Sequence, residues 1–203
     1  MKNYTILNIP EDVLKDLKEL GTLLFKEAEY KIQPVIDNGA IFRIIIRKGG
    51  ENKCNNPVRN ELFQSIMDRI PFADIITGVM MLNLKPNRFQ RVHIDRDRHC
   101  AINVPIIIPE NTELGVYKYE LNDSIESKWF DMHPNDQNPG FNLEENGDTY
   151  HMKEPVLLNT KSWHWVWNKS NEARSVLSFD INKTPYLDTI DILKKNKLSL
   201  IHI

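Results

Sequence analysis

Two cysteines in 203 residues, Cys54 and Cys100, form neither a metal-ligand spacing nor a disulfide framework. No secretory apolar segment follows Met1-Lys2-Asn3-Tyr4, so both are expected to be reduced thiols of a cytoplasmic protein. The sequence also lacks any run of eighteen apolar residues, which argues against a transmembrane helix. Charge of one sign is missing too: 26 basic residues oppose 28 acidic ones, a formal net charge of −2. That balance argues against general electrostatic binding to nucleic acid or to an anionic membrane. Internal repeats and low-complexity tracts are absent. The expectation is one globular domain, 1–203, large enough to build a substantial core.

The chain opens with helical patterning and turns to strands. From Glu11 to Tyr30, Val13, Leu14, Leu17, Leu20, Leu23, Leu24 and Ala28 recur at offsets of three and four. That is one face of a helix, with Glu11 and Asp12 at its positive end and Gly21 as a weak point inside it. Ile41 to Arg47 is a β-branched run closed by Gly49-Gly50, hence a strand and turn, and Val58 to Ile70 is a second amphipathic helix. Residues 1–72 thus form a helical buttress with an edge strand. Residues 73–183 are expected to be the β core, with strands at Ile75 to Leu84, Phe89 to Asp95 and Ala101 to Ile108. Leu114 to Leu121 is expected to pair with the last of these. Further strands are expected at Val156 to Asn159, His164 to Asn168 and Arg174 to Ile181. Asn122 to Gly147, rich in Asn, Asp, Pro and Gly, reads as a long loop or lid. Residues 184–203 form a tail with a short helix. Helices followed by seven or eight short strands imply a mainly β fold with flanking helices, a sandwich or barrel of jelly-roll type.

One stretch carries chemistry. Side chains alternate along a strand, so His93 and Asp95 of Arg91-Val92-His93-Ile94-Asp95 are expected on one face. His164, between Trp163 and Trp165, supplies a possible third ligand. Two histidines and a carboxylate on one face of an octahedron are the donor set of non-haem Fe(II) oxygenases. Arg174, ten residues on, offers a planar fork that suits a carboxylate. A His-X-Asp pair alone is more often a pair of surface residues, and a tryptophan cluster is more often ordinary core. The second histidine and the arginine shift the balance toward a site only because their spacing resembles that of a known family.

The segment from Pro155 to Ile181, with His164, Trp167-Asn168, Arg174 and Asp180, resembles the distal-histidine region of the aspartyl/asparaginyl β-hydroxylase-like family. Those proteins are Fe(II)- and 2-oxoglutarate-dependent oxygenases on a double-stranded β-helix. Met81-Leu82-Asn83-Leu84-Lys85-Pro86-Asn87 with Val92-His93-Ile94-Asp95 is similar to the family's strand, Lys-Pro-Gly turn and first metal histidine, with Asn87 in place of glycine. His99-Cys100-Ala101-Ile102-Asn103-Val104-Pro105 resembles the segment in which a histidine contacts 2-oxoglutarate. The resemblance spans about residues 75 to 181. It implies that His93, Asp95 and His164 hold Fe(II) and that Arg174 clamps the far carboxylate of 2-oxoglutarate. It further implies that Asn83, Arg98, His99 and Trp165 line the co-substrate site, with the choice among Arg96, Arg98 and His99 open.

The expected activity is therefore that of a 2-oxoglutarate-dependent dioxygenase. It would use O2 to hydroxylate an amino-acid side chain, free or in a peptide or protein, and release succinate and CO2. The partner is a small-molecule or peptide substrate; nothing in the sequence sets the oligomeric state. Two other classes fit the pattern less well. A cupin-like metalloenzyme that is not an oxygenase would need no Arg174, and such sites commonly use more histidines than this chain offers near His93. A non-catalytic binding module would have no use for an intact ligand triad.

Overall fold

The computed structural model describes residues 3–30, 41–47, 57–70, 72–95, 98–117, 147–196 and 199–201. Helix α1 (Glu11–Tyr30) starts where Pro10 sets the entry, with the Leu14 N–H bonded to the Pro10 carbonyl at 2.8 Å. Its stripe of Val13, Leu17, Leu20 and Leu24 is buried. Helix α2 (Pro57–Arg69) packs beside it, and α3 (Tyr186–Lys195) covers the same sheet near the other end of the chain. No described helix is long and apolar enough to cross a membrane.

Among the described residues, eleven strands form two antiparallel sheets. They are β1 (Tyr4–Asn8), β2 (Ile41–Arg47), β3 (Gly78–Leu84), β4 (Arg88–His93), β5 (Cys100–Ile107) and β6 (Thr112–Tyr117), then β7 (Gly147–Tyr150), β8 (Val156–Asn159), β9 (His164–Asn168), β10 (Arg174–Ile181) and β11 (Ser199–Ile201). The larger sheet runs β11-β1-β8-β5-β10-β3-β2 and the smaller β4-β9-β6-β7. This is the expected jelly-roll, double-stranded β-helix class. All of β10 is buried, because helices cover one face of the large sheet and the small sheet covers the other. Strand alternation divides its side chains: Leu177, Phe179 and Ile181 pack under the helices, whereas Val176 joins Leu114, Val166 and Leu158 between the sheets.

Four details differ from the sequence reading. Ala73–Ile75 is a 3-10 turn, and strand β3 starts only at Gly78. β6 belongs to the small sheet and pairs with β7 and β9, not with β5. Asn111, at φ 62°, turns the chain from one sheet to the other, and the Thr112 hydroxyl donates to the Pro109 carbonyl across that turn. Gly147, assigned to the end of the loop, opens β7; residues 118–146 lie outside the described residues, as does the Gly49-Gly50 turn. Strands β1, β7 and β11 were not anticipated at all.

Two glycines are close-approach positions. A Cβ on Gly21 would stand 2.4 Å from Ile106 Cδ1, so the helix runs unbroken over β5 because this residue has no side chain. A Cβ on Gly115 would stand 1.9 Å from Trp165 Cε2, inside the indole that lies across β6. Gly115→Ala is expected to destabilise the fold by about 1–3 kcal/mol or more, since a buried indole cannot yield without moving its strand. Gly21→Ala should cost less, because the end of Ile106 can rotate and alanine recovers about 1 kcal/mol of helix propensity. Urea midpoints at constant slope check this order; a larger loss for Gly21→Ala would contradict it.

Candidate metal and anion site

The donors reach one place by three different devices. β4 pairs with β9 from Arg88–Asn168 to Gln90–Val166, and then His93 faces His164. Arg91 and Val92 therefore oppose Trp165 alone, which is a β-bulge. The extra residue resets the alternation, so Gln90 and His93 project to the same side, with their Nε2 atoms 3.2 Å apart. Asp95 lies beyond the end of β4, so alternation along a strand does not place it. The turn between β8 and β9 does so instead. The Asp95 N–H donates to the Thr160 carbonyl at 3.0 Å, and Lys161 Nζ donates to the Asp95 carbonyl at 2.9 Å. His164 opens β9, and its Nδ1 lies 2.9 Å from the Ser162 carbonyl. A carbonyl only accepts, so Nδ1 carries the proton and the Nε2 lone pair is free to ligate.

The donor atoms of His93, Asp95 and His164 all lie within 4.8 Å of one another, and this group can hold a metal ion. Burial, and then His93, push the His164 imidazole down to about 3, so it is neutral and ready to coordinate. Burial raises the Asp95 carboxyl, but Arg98, His164 and His93 together outweigh it and hold it below the usual carboxylate range.

A cleft of about 540 Å³, counting its open mouth, extends between the sheets. His164, Gln90 and Arg98 border it, together with Asn103, Arg174 and apolar residues such as Leu114, Leu158 and Val176. Arg174 is 5% exposed at the start of β10 and donates from Nη2 toward Met152 Sδ at 3.9 Å. Among the described residues no carboxylate pairs with it. Burial lowers it to about 10, which still leaves a cation at neutral pH. A buried charge that no described carboxylate neutralises costs several kcal/mol, and an anion in the cleft would offset that cost. Asn103 Oδ1 is likewise buried without a hydrogen-bond partner.

Arg174 owes its position to Asn168, whose amide donates to the Leu84, Lys85 and Glu172 carbonyls and accepts from Ser170. This locks the β3–β4 turn, where Asn87 takes φ 53°, against the β9–β10 turn.

The remaining expected co-substrate contacts divide. Arg98 borders the cleft but is engaged by Asp95 and Asp180. His99 does not border it; its N–H pairs with the Ile181 carbonyl. Trp165 lies on the opposite face of β9 from His164, against Gly115 in a cluster with Val92, Tyr117 and Trp163. It is core and not a wall of the cleft, because neighbours on a strand face opposite ways. Asn83 borders the cleft, yet its register with Ser175 puts it on the side of Met81 and Leu177, and its Oδ1 is buried without a partner. Arg96 lies outside the described residues. Gln90, Thr160 and Ser162 carried no recognisable signal in the sequence, since two of them act through backbone carbonyls and Gln90 depends on the bulge.

The neutral buried histidine makes the metal-free chain pH-sensitive. The folded-state value of His164 is depressed, so the unfolded chain binds the extra proton below the ordinary histidine value of about 6.5. Stability is therefore expected to fall with pH from about 6.5 down to about 3. The loss between pH 7 and pH 5 should be about 2 kcal/mol. Urea unfolding of the metal-free chain at the two pH values measures it, and His164→Gln should flatten the dependence.

No family model matches the sequence, and no curated protein matches it. Solved structures do. A Pseudomonas putida prolyl-4-hydroxylase aligns with TM-score 0.50 and 13% identity over 88% of this chain and 94% of its own. The α-ketoglutarate-dependent carbocyclase SnoK from nogalamycin biosynthesis aligns with TM-score 0.54 and 12% identity over 88% and 80%. A 2OG-Fe(II) oxygenase family oxidoreductase from Burkholderia pseudomallei gives 0.51 and 13% over 89% and 88%. At such identity the likeness carries the fold, and the chain is built on the β architecture of these oxygenases.

Proposed function

We propose that the protein is an Fe(II)- and 2-oxoglutarate-dependent oxygenase. The observation that carries this reading is the pairing of two features: the His93, Asp95 and His164 donors, of which His164 borders the cleft, and Arg174, buried on the same cleft with no carboxylate partner among the described residues. The donor set suits Fe(II), which tolerates two imidazoles and one carboxylate and keeps its other positions open. Charge supports the co-substrate. Among the described residues Asp95 and Asp180 offset Arg98 and Arg174, so a divalent metal on neutral ligands would leave these groups two charges positive. A dianion restores balance, and 2-oxoglutarate is one, with one carboxylate for the metal and one for Arg174.

The chain's own residues then have defined tasks. His164 holds its tautomer through Ser162, Arg174 orients the distal carboxylate, and the apolar walls from Leu114, Leu158 and Val176 exclude water. Bound iron would supply oxygen activation coupled to oxidative decarboxylation of the co-substrate. The substrate we infer is an amino-acid side chain, free or within a peptide, which would be hydroxylated. The motif resemblance of residues 75 to 181 to the aspartyl/asparaginyl β-hydroxylase-like family supports this finer assignment.

Anaerobic addition of Fe(II) and then 2-oxoglutarate is expected to give a weak visible charge-transfer band that needs both. His164→Ala should remove the band and the iron. Arg174→Ala should retain iron but weaken 2-oxoglutarate by roughly 2–5 kcal/mol, the usual loss for one partner of a buried charge pair. Unchanged 2-oxoglutarate affinity in Arg174→Ala would sink the co-substrate assignment.

A further inference from the structure

Arg98 sits between two carboxylates in a way that no packing need explains. Its Nε and Nη2 donate to the same oxygen, Asp95 Oδ2, at 2.8 and 2.6 Å. Its Nη1 donates to Asp180 Oδ1 at 3.0 Å and to Ser178 Oγ at 3.2 Å. Asp180 is fixed in turn. It lies in β10, paired with Gly78 of β3 and Ala101 of β5, and its carbonyl accepts from the Thr77 N–H at 2.9 Å. The guanidinium is thus anchored to the most buried strand of the large sheet and reaches across to the loop after β4. The far side is tied down as well, because the Thr160 hydroxyl donates to the Arg98 carbonyl at 2.8 Å.

We propose that Arg98, held by Asp180, is a positioning residue that makes Asp95 a single-oxygen ligand. With Nε and Nη2 both on Oδ2, that oxygen is occupied, and Oδ1 is the atom nearer His93, 3.6 Å from its Nε2. A carboxylate free to rotate can close on a metal through both oxygens and so fill a position that co-substrate or oxygen requires. Two N–H donors converging on Oδ2 hold that oxygen against the guanidinium and away from a metal beside Oδ1, where a single donor would leave it freer to turn. The inference rests on the metal reading of the site and adds a role that motif spacing does not assign: Asp180 acts on the metal through Arg98 without touching it.

Anaerobic Co(II) titration of the full chain, read by the visible d–d bands, tests this apart from turnover. Partners that orient a ligand typically contribute 10–100-fold to metal affinity, and Asp180→Asn and Arg98→Met are expected to lose about that much. Both should also change the shape and intensity of the bands. Arg98→Lys, which keeps the charge but offers one ammonium for two carboxylates, should recover affinity only in part and leave the bands altered. Asp180→Asn preserves shape and volume and keeps the test valid where Arg98→Met does not fold. Wild-type bands in Asp180→Asn and Arg98→Met would overturn the orienting role, even with weaker binding. If Co(II) bound to His164→Ala as it does to wild type, the metal reading itself would fail, and this inference with it.

Discussion

A single turn, Asn159 to Ser162, carries the geometry of the site. Its carbonyls receive the Asp95 N–H and the His164 imidazole proton, and its Thr160 hydroxyl holds the Arg98 backbone. The Asn159 side chain stiffens the turn by bonding Ser162 Oγ, the Lys161 N–H and Asn3. Two donors from distant parts of the chain therefore share one backbone reference. Displacing the turn would move Asp95 and His164 together and leave their separation nearly unchanged, whereas His93 is set independently by the β4 bulge. Precision of this kind comes from backbone carbonyls, whose positions sheet pairing fixes, and not from long flexible side chains.

Two kinds of buried charge coexist along β10. Arg98 is satisfied on both arms and its cationic form is favoured, because Asp95 and Asp180 outweigh the desolvation of burial. Arg174 faces a thioether and is depressed by burial alone. A fold selected only for stability would replace Arg174 with an apolar residue at little cost. Its place beside an open cleft, with no described carboxylate against it, is what sets it apart from Arg98. The same comparison explains why adjacent residues in the sequence, Arg98 and His99, have unrelated roles.

The sequence made periodic elements legible and concealed those that depend on partners. Helix α1 and strands β8, β9 and β10 were read with the bounds the structure has, since each is long or strongly patterned. β7, with Gly147 and Asp148, has none of the apolar character of a strand and exists because β6 offers it an edge. β1 and β11 are short and pair with each other across nearly the whole chain, a contact that local pattern does not encode. The reason for grouping His93, Asp95 and His164 in the sequence is only partly right. His93 and Asp95 converge, but through a bulge and a turn, not through alternation on one strand. Trp165 was misassigned to the cleft because spacing alone does not reveal which face of β9 a residue occupies; Gly115, which makes room for the indole, is the signal that fixes it.

The pairing of β1 sets an order of events during synthesis. Tyr4 has its partner in Leu158 and Leu7 in Leu200, so β1 waits for strands about 150 to 190 residues further along before it can pair. The apolar stripe of α1 packs on the same sheet and stays without its main support until β5 and β10 have formed. Closing such long loops is slow, and the chain spends that interval with its N-terminal apolar surface open to water. The apolar face of α1 is therefore open to aggregation and proteolysis for as long as β5 and β10 are missing.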